Sequence, residues 1–295
     1  MKKAVLLIMV TAVALFMFFG LAGADEMLKP YVLASSGPGA IEKKVEEVKA
    51  AVSQQGFQVV GEYSPYKGAH IIVVTSDFLR KSAAKSDFGA YGAISRIALT
   101  EKKGGDIDVS YTNPPYYAQA YQMKDSLSDA AASLEKALGK KSVFGSKNGM
   151  TAAKLRSYHY MIMMPYFEDQ VLLGSYSSQE EALKAVEANF VAHKGGASKV
   201  YRVDLADKKE TVFGIGITEG AGADKTIMPI IDVSEPKHTA HLPYEMVVSN
   251  GKVYMLHGKF RIALDFPDLT MGTFMKISGA PSAIEEKLKM VAGGK

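Results

Sequence analysis

Apolar residues recur along the chain with two spacings, one typical of amphipathic helices and one typical of half-buried strands. Ile41, Val45, Val48 and Val52 lie at helical spacing, and Gly56 follows as a helix end. Related patterns predict further helices over 78–85, 114–123, 127–138, 178–190, 267–275 and 282–291. Alternating or short apolar runs predict strands over 57–63, 70–75, 94–99, 107–111, 158–166, 171–176, 200–205, 211–218, 226–233, 244–248 and 253–256.

Turn and cap signals connect these predicted elements. Gly104-Gly105 and Asn250-Gly251 each lie between two predicted strands, and both pairs are typical of tight hairpins. The run 178–181 is a capping box, in which a serine and a glutamate bond the free amides at a helix start. Strands joined by hairpins and separated by helices predict an α+β fold with antiparallel sheets.

The second half of the chain repeats the order of elements in the first half. Each half has a helix ended by glycine, a pair of strands, a hairpin turned by glycine and a helix started by proline. The best pairing of the two halves aligns Pro114 with Pro267, and it also aligns Tyr121 with Phe274. The sequence therefore predicts two similar antiparallel-sheet-plus-helix units, packed as a pseudo-dimer within one chain.

The first residues of the chain are typical of an export signal. Lys2 and Lys3 precede an apolar run over 4–21, and the small residues at 22–24 form a cleavage pattern before Asp25. The alternative is an uncleaved membrane anchor. We predict a signal peptide (1–24), a tether (25–39), a first domain (40–150) and a second domain (151–295). The mature protein is then periplasmic and free of the membrane.

Composition narrows the classes of function. The chain has 295 residues, and 35 basic against 31 acidic side chains leave a net charge of +4. This near balance is not that of a nucleic-acid-binding protein. Cysteine is absent, which excludes disulfides, thiolate metal sites and a cysteine nucleophile.

One stretch of the chain resembles a known family. Residues 107–121 read IDVSYTNPPYYAQAY, and Tyr111, Pro114, Tyr116 and Ala118 match the Tyr-x-x-Pro-x-Tyr-x-Ala ending typical of the domain-of-unknown-function 302 family (DUF302). In the second half, the hairpin that begins near Leu242-Pro243 is similar to the family's Leu-Pro strand and hairpin. The resemblance implies compact α+β domains that tend to pair, and hence that the protein forms a homo-oligomer. It implies no particular reaction.

A tyrosine cluster is the first candidate binding site. Tyr111, Tyr116, Tyr117 and Tyr121 surround two prolines, and aromatic rings with polar tips suit a ligand pocket. Lys225 lies on the rim of a second candidate pocket, next to a glycine-containing loop. The alternative interpretation is that the tyrosines pack the two repeats against each other.

Histidines form the candidate metal sites. His238 and His241 are three residues apart, and His257 is a third candidate ligand, so they predict a zinc or copper site. His159, Met161 and Met163 share one face if 158–166 is a strand, a set that suits Cu(I). Hydrogen-bonded histidines and methionine core packing are the alternatives.

No motif identifies an enzyme. The serine–lysine pair Ser82 and Lys85 lacks the companion motifs of penicillin-recognising enzymes, and no G-x-S-x-G elbow occurs. Gly214 and Gly216 lack phosphate-loop spacing and predict close approach of another backbone. The leading hypothesis is an exported, non-enzymatic protein that binds a small, partly apolar ligand. The alternatives are a periplasmic metal-binding protein that holds a transition metal as its cofactor and, third, an uncharacterised hydrolase.

Overall fold

The computed structural model describes residues 26–205 and 207–294, which form two antiparallel sheets with helices packed against them. The predicted α+β class with antiparallel sheets is therefore confirmed. The predicted signal peptide lies outside the described residues. Within the described ranges, no helix is long and apolar enough to cross a membrane.

The first sheet is built from the N-terminal half of the chain. Its strands are β1 (Tyr31–Gly37), β2 (Gln58–Tyr63), β3 (Ala69–Thr75), β4 (Ser95–Glu101), β5 (Ile107–Thr112) and β6 (Ser142–Phe144). They lie in the order β2-β3-β4-β5-β1-β6. The helices of this half are α1 (Ile41–Gln54), α2 (Asp77–Ala84), α3 (Pro114–Ala120) and α4 (Ser128–Leu138).

The second sheet follows a short helix, α5 (Ala152–Arg156). Its strands are β7 (Val171–Ser175), β8 (Ala197–Leu205), β9 (Glu210–Ile217), β10 (Tyr244–Ser249) and β11 (Lys252–Met255), in the order β7-β11-β10-β9-β8. Its helices are α6 (Gln179–Val191), α7 (Asp224–Ile231), α8 (Gly258–Asp265), α9 (Met271–Met275) and α10 (Ala280–Val291).

The two sheets share the order of their strands and the positions of their irregularities. β2-β3-β4-β5-β1 in the first sheet corresponds to β8-β9-β10-β11-β7 in the second. Val60 is an extra residue between paired positions of β2, and Val200 is the extra residue in β8. Ala34 in β1 and Leu173 in β7 are likewise extra residues. Such bulges bend a strand and increase its twist, so both sheets curve at the same places.

Local signals explain why several elements begin and end where they do. The Ser178 hydroxyl accepts a hydrogen bond from the Glu181 amide at the start of α6, at 3.1 Å. Asn250 and Gly251 have φ angles of 51° and 81°, the left-handed values that a two-residue hairpin needs. The serine half of the predicted capping box is confirmed, while the Glu181 carboxylate accepts from the amide of Ser177, the residue before the cap. The predicted Asn-Gly hairpin is confirmed.

Three predicted elements are wrong. The tether over 25–39 contains β1, which is paired with β5 on one side and β6 on the other. The strand over 226–233 is instead the helix α7, which buries Ile227, Met228 and Ile231 on one side. The run 158–166 forms no strand; it turns back at the surface.

The proline pairing between the two halves is also wrong. The helix after the second hairpin is α8, which begins at Gly258, and Pro267 comes after it ends. The strand register aligns Ile97 of β4 with Met246 of β10, and their partners Tyr111 and Met255 then correspond. The helix that starts at Pro114 therefore corresponds to α8.

The two halves touch closely at their edge strands. A side-chain carbon at Gly61 in β2 would overlap the Val200 carbonyl oxygen in β8, so a glycine is needed there. Gly214 instead makes room for the ring of Tyr201, and Gly216 faces Ser198 and the Tyr63 ring. The expectation that Gly214 and Gly216 admit another backbone is wrong, because side chains fill the space.

Candidate functional site

The four tyrosines of the first candidate site are all buried, and two of them, Tyr116 and Tyr117, lie at the contact between the halves. The Tyr116 hydroxyl donates to the Leu264 carbonyl, and the Tyr117 hydroxyl donates to Asp265 Oδ1, both at 2.8 Å. Burial raises the pKa of both phenols well above the usual range, so they remain donors. These bonds join α3 to the end of α8, as the packing interpretation requires.

The other members of that set are placed differently. Tyr111 is 1 % exposed, and its hydroxyl bonds the Gly139 carbonyl at 3.3 Å. Tyr121 stacks on Phe167 with ring centroids 5.6 Å apart. Lys225 is exposed on α7. The structure does not bring Lys225 and the tyrosines together around one open cavity.

A buried charge network lies beside Tyr117. Arg96 of β4 pairs with Glu245 of β10 at 2.5 Å, and the Arg96 guanidinium lies 5.3 Å from the Tyr117 ring centroid. Arg261 of α8 lies 3.2 Å from Glu245 and also contacts Asp265. Two arginines and two carboxylates thus balance at the contact between the halves.

Each of the three histidines of the predicted metal site is hydrogen-bonded to a protein group. His241 Nδ1 lies 2.6 Å from Asp265 Oδ2, and burial together with the Arg261 charge holds the pKa of His241 well below its usual range. His257 Nδ1 accepts from the Lys259 amide at the start of α8. Among the described residues, no three His, Cys, Asp or Glu side chains are arranged to hold a metal ion. The predicted three-histidine set is not assembled.

The methionine-rich run does not form the expected ligand face either. Because 158–166 is not a strand, His159, Met161 and Met163 do not alternate along one face. Met163 is 97 % exposed, while the His159 ring packs on Tyr166 with centroids 4.4 Å apart.

A cleft of about 360 Å³ opens elsewhere, between β6 and the segments that follow α7 and α8. Its volume is in the range of small-molecule sites. Aromatic and aliphatic side chains form part of the wall, among them Phe144, Phe266 and Leu269. The charged groups of the wall are Lys29, Asp232, Glu235 and Asp268. The wall is therefore partly apolar and carries more carboxyl groups than amino groups.

Asp232 is a nearly buried carboxyl group on the wall of this cleft. It is 6 % exposed, and its Oδ1 accepts from the His238 amide at 2.9 Å. Its Oδ2 is buried and makes no hydrogen bond with any described residue. Burial raises the pKa of Asp232 to about 7. A ligand that donates a hydrogen bond or carries positive charge would satisfy this oxygen.

His238 offers a second acceptor on the same wall. Its ring stacks on Phe266 with centroids 4.7 Å apart, and burial lowers its pKa to about 4. His238 is therefore neutral at pH 7. Its Nδ1 lies 3.0 Å from the Asp265 carbonyl, which only accepts, so the proton is on Nδ1 and Nε2 carries the lone pair.

Sequence reasoning found His238 but missed Asp232, Asp268 and Lys29. An acidic residue directly after the apolar run 227–231 was the one available signal for Asp232. Lys29 and Asp268 are far apart along the chain and ordinary in their local context, so no local pattern marks them.

Comparison with protein-family models, with curated proteins and with solved structures found no match to this chain.

Proposed function

We propose that this protein binds a small, partly apolar ligand in the cleft at Asp232, and that the ligand carries an amino group. The observation that carries the proposal is Asp232, which lines that cleft and whose buried Oδ2 makes no hydrogen bond with any described residue. An ammonium group at this oxygen would offset the cost of burying the carboxylate. The aromatic rings of Phe144 and Phe266 would pack on the apolar part of the ligand.

The charge of the wall supports a cationic rather than an anionic ligand. Among the lining residues, Asp232, Glu235 and Asp268 outnumber Lys29, and His238 is neutral at pH 7. Lys237, beside the cleft, lies 3.8 Å from Glu235 and offsets one of these carboxylates. His238 Nε2 supplies a further acceptor for a second N–H or O–H group of the ligand. A carboxylate or phosphate ligand would meet like charge here.

The amine preference predicts a ranking of simple probes. Benzylamine should bind more tightly than benzyl alcohol, and benzoate should bind least, as measured by isothermal titration calorimetry. Asp232→Asn should weaken benzylamine binding by about tenfold or more, since a hydrogen bond to a charged group contributes roughly 1.5–3 kcal/mol.

Asp106→Asn is the matched control, because Asp106 is exposed on the hairpin between β4 and β5. Equal affinities for the three probes, or an unchanged affinity in Asp232→Asn, would contradict the proposal. A native mass spectrum of the protein from its own host would also show any retained organic ligand and whether residues 1–24 are removed.

We propose further that the protein is exported to the periplasm. We also propose that its two halves are copies of one unit and pack as a pseudo-dimer, and that this unit is related to the domain-of-unknown-function 302 family. The leader supports export, and the family motif near Tyr111 supports the relationship. The common strand order and the corresponding bulges at Val60 and Val200 support the proposal that the two halves are copies of one unit. A sequence profile of homologues built on 31–138 should then match 171–291; profiles with no mutual match would contradict it.

The contact between the halves bears on self-association. In the aligned register, Arg96 of β4 corresponds to Glu245 of β10, and these two residues pair with each other. A homodimer of the first half alone would place two Arg96 side chains together. The intact chain satisfies this contact internally, so a homo-oligomer would need a different surface.

A further inference from the structure

We infer that Ser64, His70 and Glu62 form a second, hydrolytic site that transfers acyl groups from small esters to water. Glu62 lies in β2, Ser64 in the turn that follows it, and His70 in β3. The Ser64 hydroxyl is 3.1 Å from His70 Nδ1, and His70 Nε2 is 3.2 Å from Glu62 Oε2. A hydroxyl, an imidazole and a carboxylate in this order are the parts of a nucleophile activated by a general base.

The hydrogen bonds determine which nitrogen of His70 acts as the base. An ionised carboxylate only accepts hydrogen bonds, so the proton of a neutral imidazole lies on Nε2, facing Glu62. The lone pair of Nδ1 is then directed at the Ser64 hydroxyl, which donates to it. This is the tautomer that general-base catalysis needs.

Glu62 is itself held in position. Its Oε1 lies 3.2 Å from Lys49 Nζ on α1, while its Oε2 contacts His70. Burial works to raise the pKa of Glu62, but the hydrogen bonds from His70 and Lys49 and the charge of Lys49 lower it overall. The carboxylate therefore stays ionised at neutral pH and orients the imidazole.

All three residues line one open cavity of about 630 Å³ between the hairpin and α1. Ile41, Val45 and Tyr66 supply apolar wall, and the acidic residues Glu42, Glu46 and Glu62 outnumber the one basic residue, Lys67. The cavity therefore suits a small neutral or cationic ester better than an anionic one. It shares no lining residue with the cleft at Asp232, so the two sites can be tested separately.

The second sheet lacks this chemistry at the corresponding places. Arg202 and Asp204 of β8 follow the bulge at Val200 as Glu62 and Ser64 follow the bulge at Val60. There, Asp204 accepts from Arg202 and from the Thr211 hydroxyl, which makes a structural link between the strands. The arrangement with a nucleophile is thus particular to the first half.

The reaction has two steps, the acylation of Ser64 and the hydrolysis of the acyl-serine. Ser64 Oγ adds to the ester carbonyl carbon while its proton moves to His70 Nδ1. The carbon–oxygen bond to the alcohol then breaks, and the alcohol leaves with that proton. A water molecule, deprotonated by His70 in the same way, attacks the acyl-serine; the acid leaves and the Ser64 hydroxyl is regenerated. Lys67 lines the same cavity, and its positive charge would favour the oxyanion if its flexible side chain turns towards Ser64.

The first test is labelling of the full-length folded protein with an alkyl fluorophosphonate, followed by peptide mass mapping. Ser64 Oγ should displace fluoride and carry the phosphonyl group, at a rate at least about 100-fold above that of Ser126. Ser126 is the internal control, since it is exposed and its hydroxyl contacts only the Ser128 hydroxyl within the described chain. Labelling of Ser64 no faster than Ser126 would overturn the inference without any variant.

The variants separate catalysis from structure. Ser64→Ala should abolish labelling and 4-nitrophenyl acetate hydrolysis at this site, whereas Ser126→Ala should change neither. His70→Gln should lower the labelling rate by about 100-fold or more. Glu62→Gln, a positioning change, should lower kcat with little change in KM. Circular dichroism checks that each variant is folded; full labelling of folded His70→Gln would overturn the inference.

Discussion

Replacement of Glu245 by glutamine should lower the free energy of unfolding by about 3–5 kcal/mol, the range found when one partner of a buried ion pair is removed. Glu245 is 5 % exposed, and both Arg96 and Arg261 lie against it. Glutamine would leave two buried guanidinium groups with Asp265 as their remaining acidic partner. Denaturant unfolding followed by tyrosine fluorescence measures the loss, since the chain has 15 tyrosines and no tryptophan.

A second substitution should show that the loss arises from unbalanced charge. Arg96→Met with Glu245→Gln restores equal numbers of buried positive and negative groups. This double variant should be less destabilised than the sum of the two single variants. Glu286→Gln is the control, because Glu286 is exposed on α10. A loss below about 1 kcal/mol for Glu245→Gln, similar to that of the control, would show that the network does not stabilise the fold.

Replacement of Asp224 by asparagine should stabilise the protein at pH 8 by on the order of 3 kcal/mol and change its stability little at pH 3. Asp224 is 2 % exposed; its Oδ2 accepts from the Tyr63 hydroxyl at 3.1 Å, and its Oδ1 has no partner in the described chain. Burial raises the pKa of this carboxyl to about 7 from an ordinary value of 3.8.

The direction follows from proton linkage. Below the ordinary pKa, the carboxyl is protonated in both the folded and the unfolded chain, so asparagine and aspartic acid differ little. As the pH rises towards 7, the unfolded chain ionises first, and the wild type loses the stability that the protonated form contributes. Asparagine does not ionise, so the Asp224→Asn variant keeps this stability as the pH rises.

The measurement is the difference in the free energy of unfolding between Asp224→Asn and the wild type, at several pH values. The difference isolates Asp224 from His238, whose lowered pKa acts in the opposite sense by reducing stability in acid. A difference that is constant with pH would contradict a raised pKa at Asp224. The exposed Asp106→Asn variant is the control for the substitution itself.

Much of the secondary structure could be predicted from local sequence. The apolar spacing of Ile41, Val45, Val48 and Val52 predicted α1, and the predicted hairpins at Gly104-Gly105 and Asn250-Gly251 join β4 to β5 and β10 to β11. These signals work because a helix turn or a hairpin is decided by residues within about four positions. The failures came where a pattern had two meanings, as in 226–233, whose β-branched run also has a helical apolar face.

The candidate sites were less accessible to sequence reasoning. The sequence identified Tyr116 and Tyr117 as part of a tyrosine cluster. The two interpretations of that cluster, a ligand pocket and packing between the halves, differ only in which groups lie opposite the tyrosines. The hydroxyl partners are 148 positions away along the chain, on α8. No local spacing reports such a partner, so ligand pocket and packing could not be separated from the sequence.

By itself, the sequence determined the α+β class, most of the helices and hairpins, and the absence of cysteine chemistry, because these depend on composition and on near neighbours. The tertiary structure alone decided which polar groups are buried without a partner and which are aligned for chemistry. The pKa of Asp232 is raised only because the fold buries its carboxyl group. Ser64, His70 and Glu62 lie within hydrogen-bonding distance of one another only because β2 and β3 pair in one register, which the long-range packing of the sheet selects.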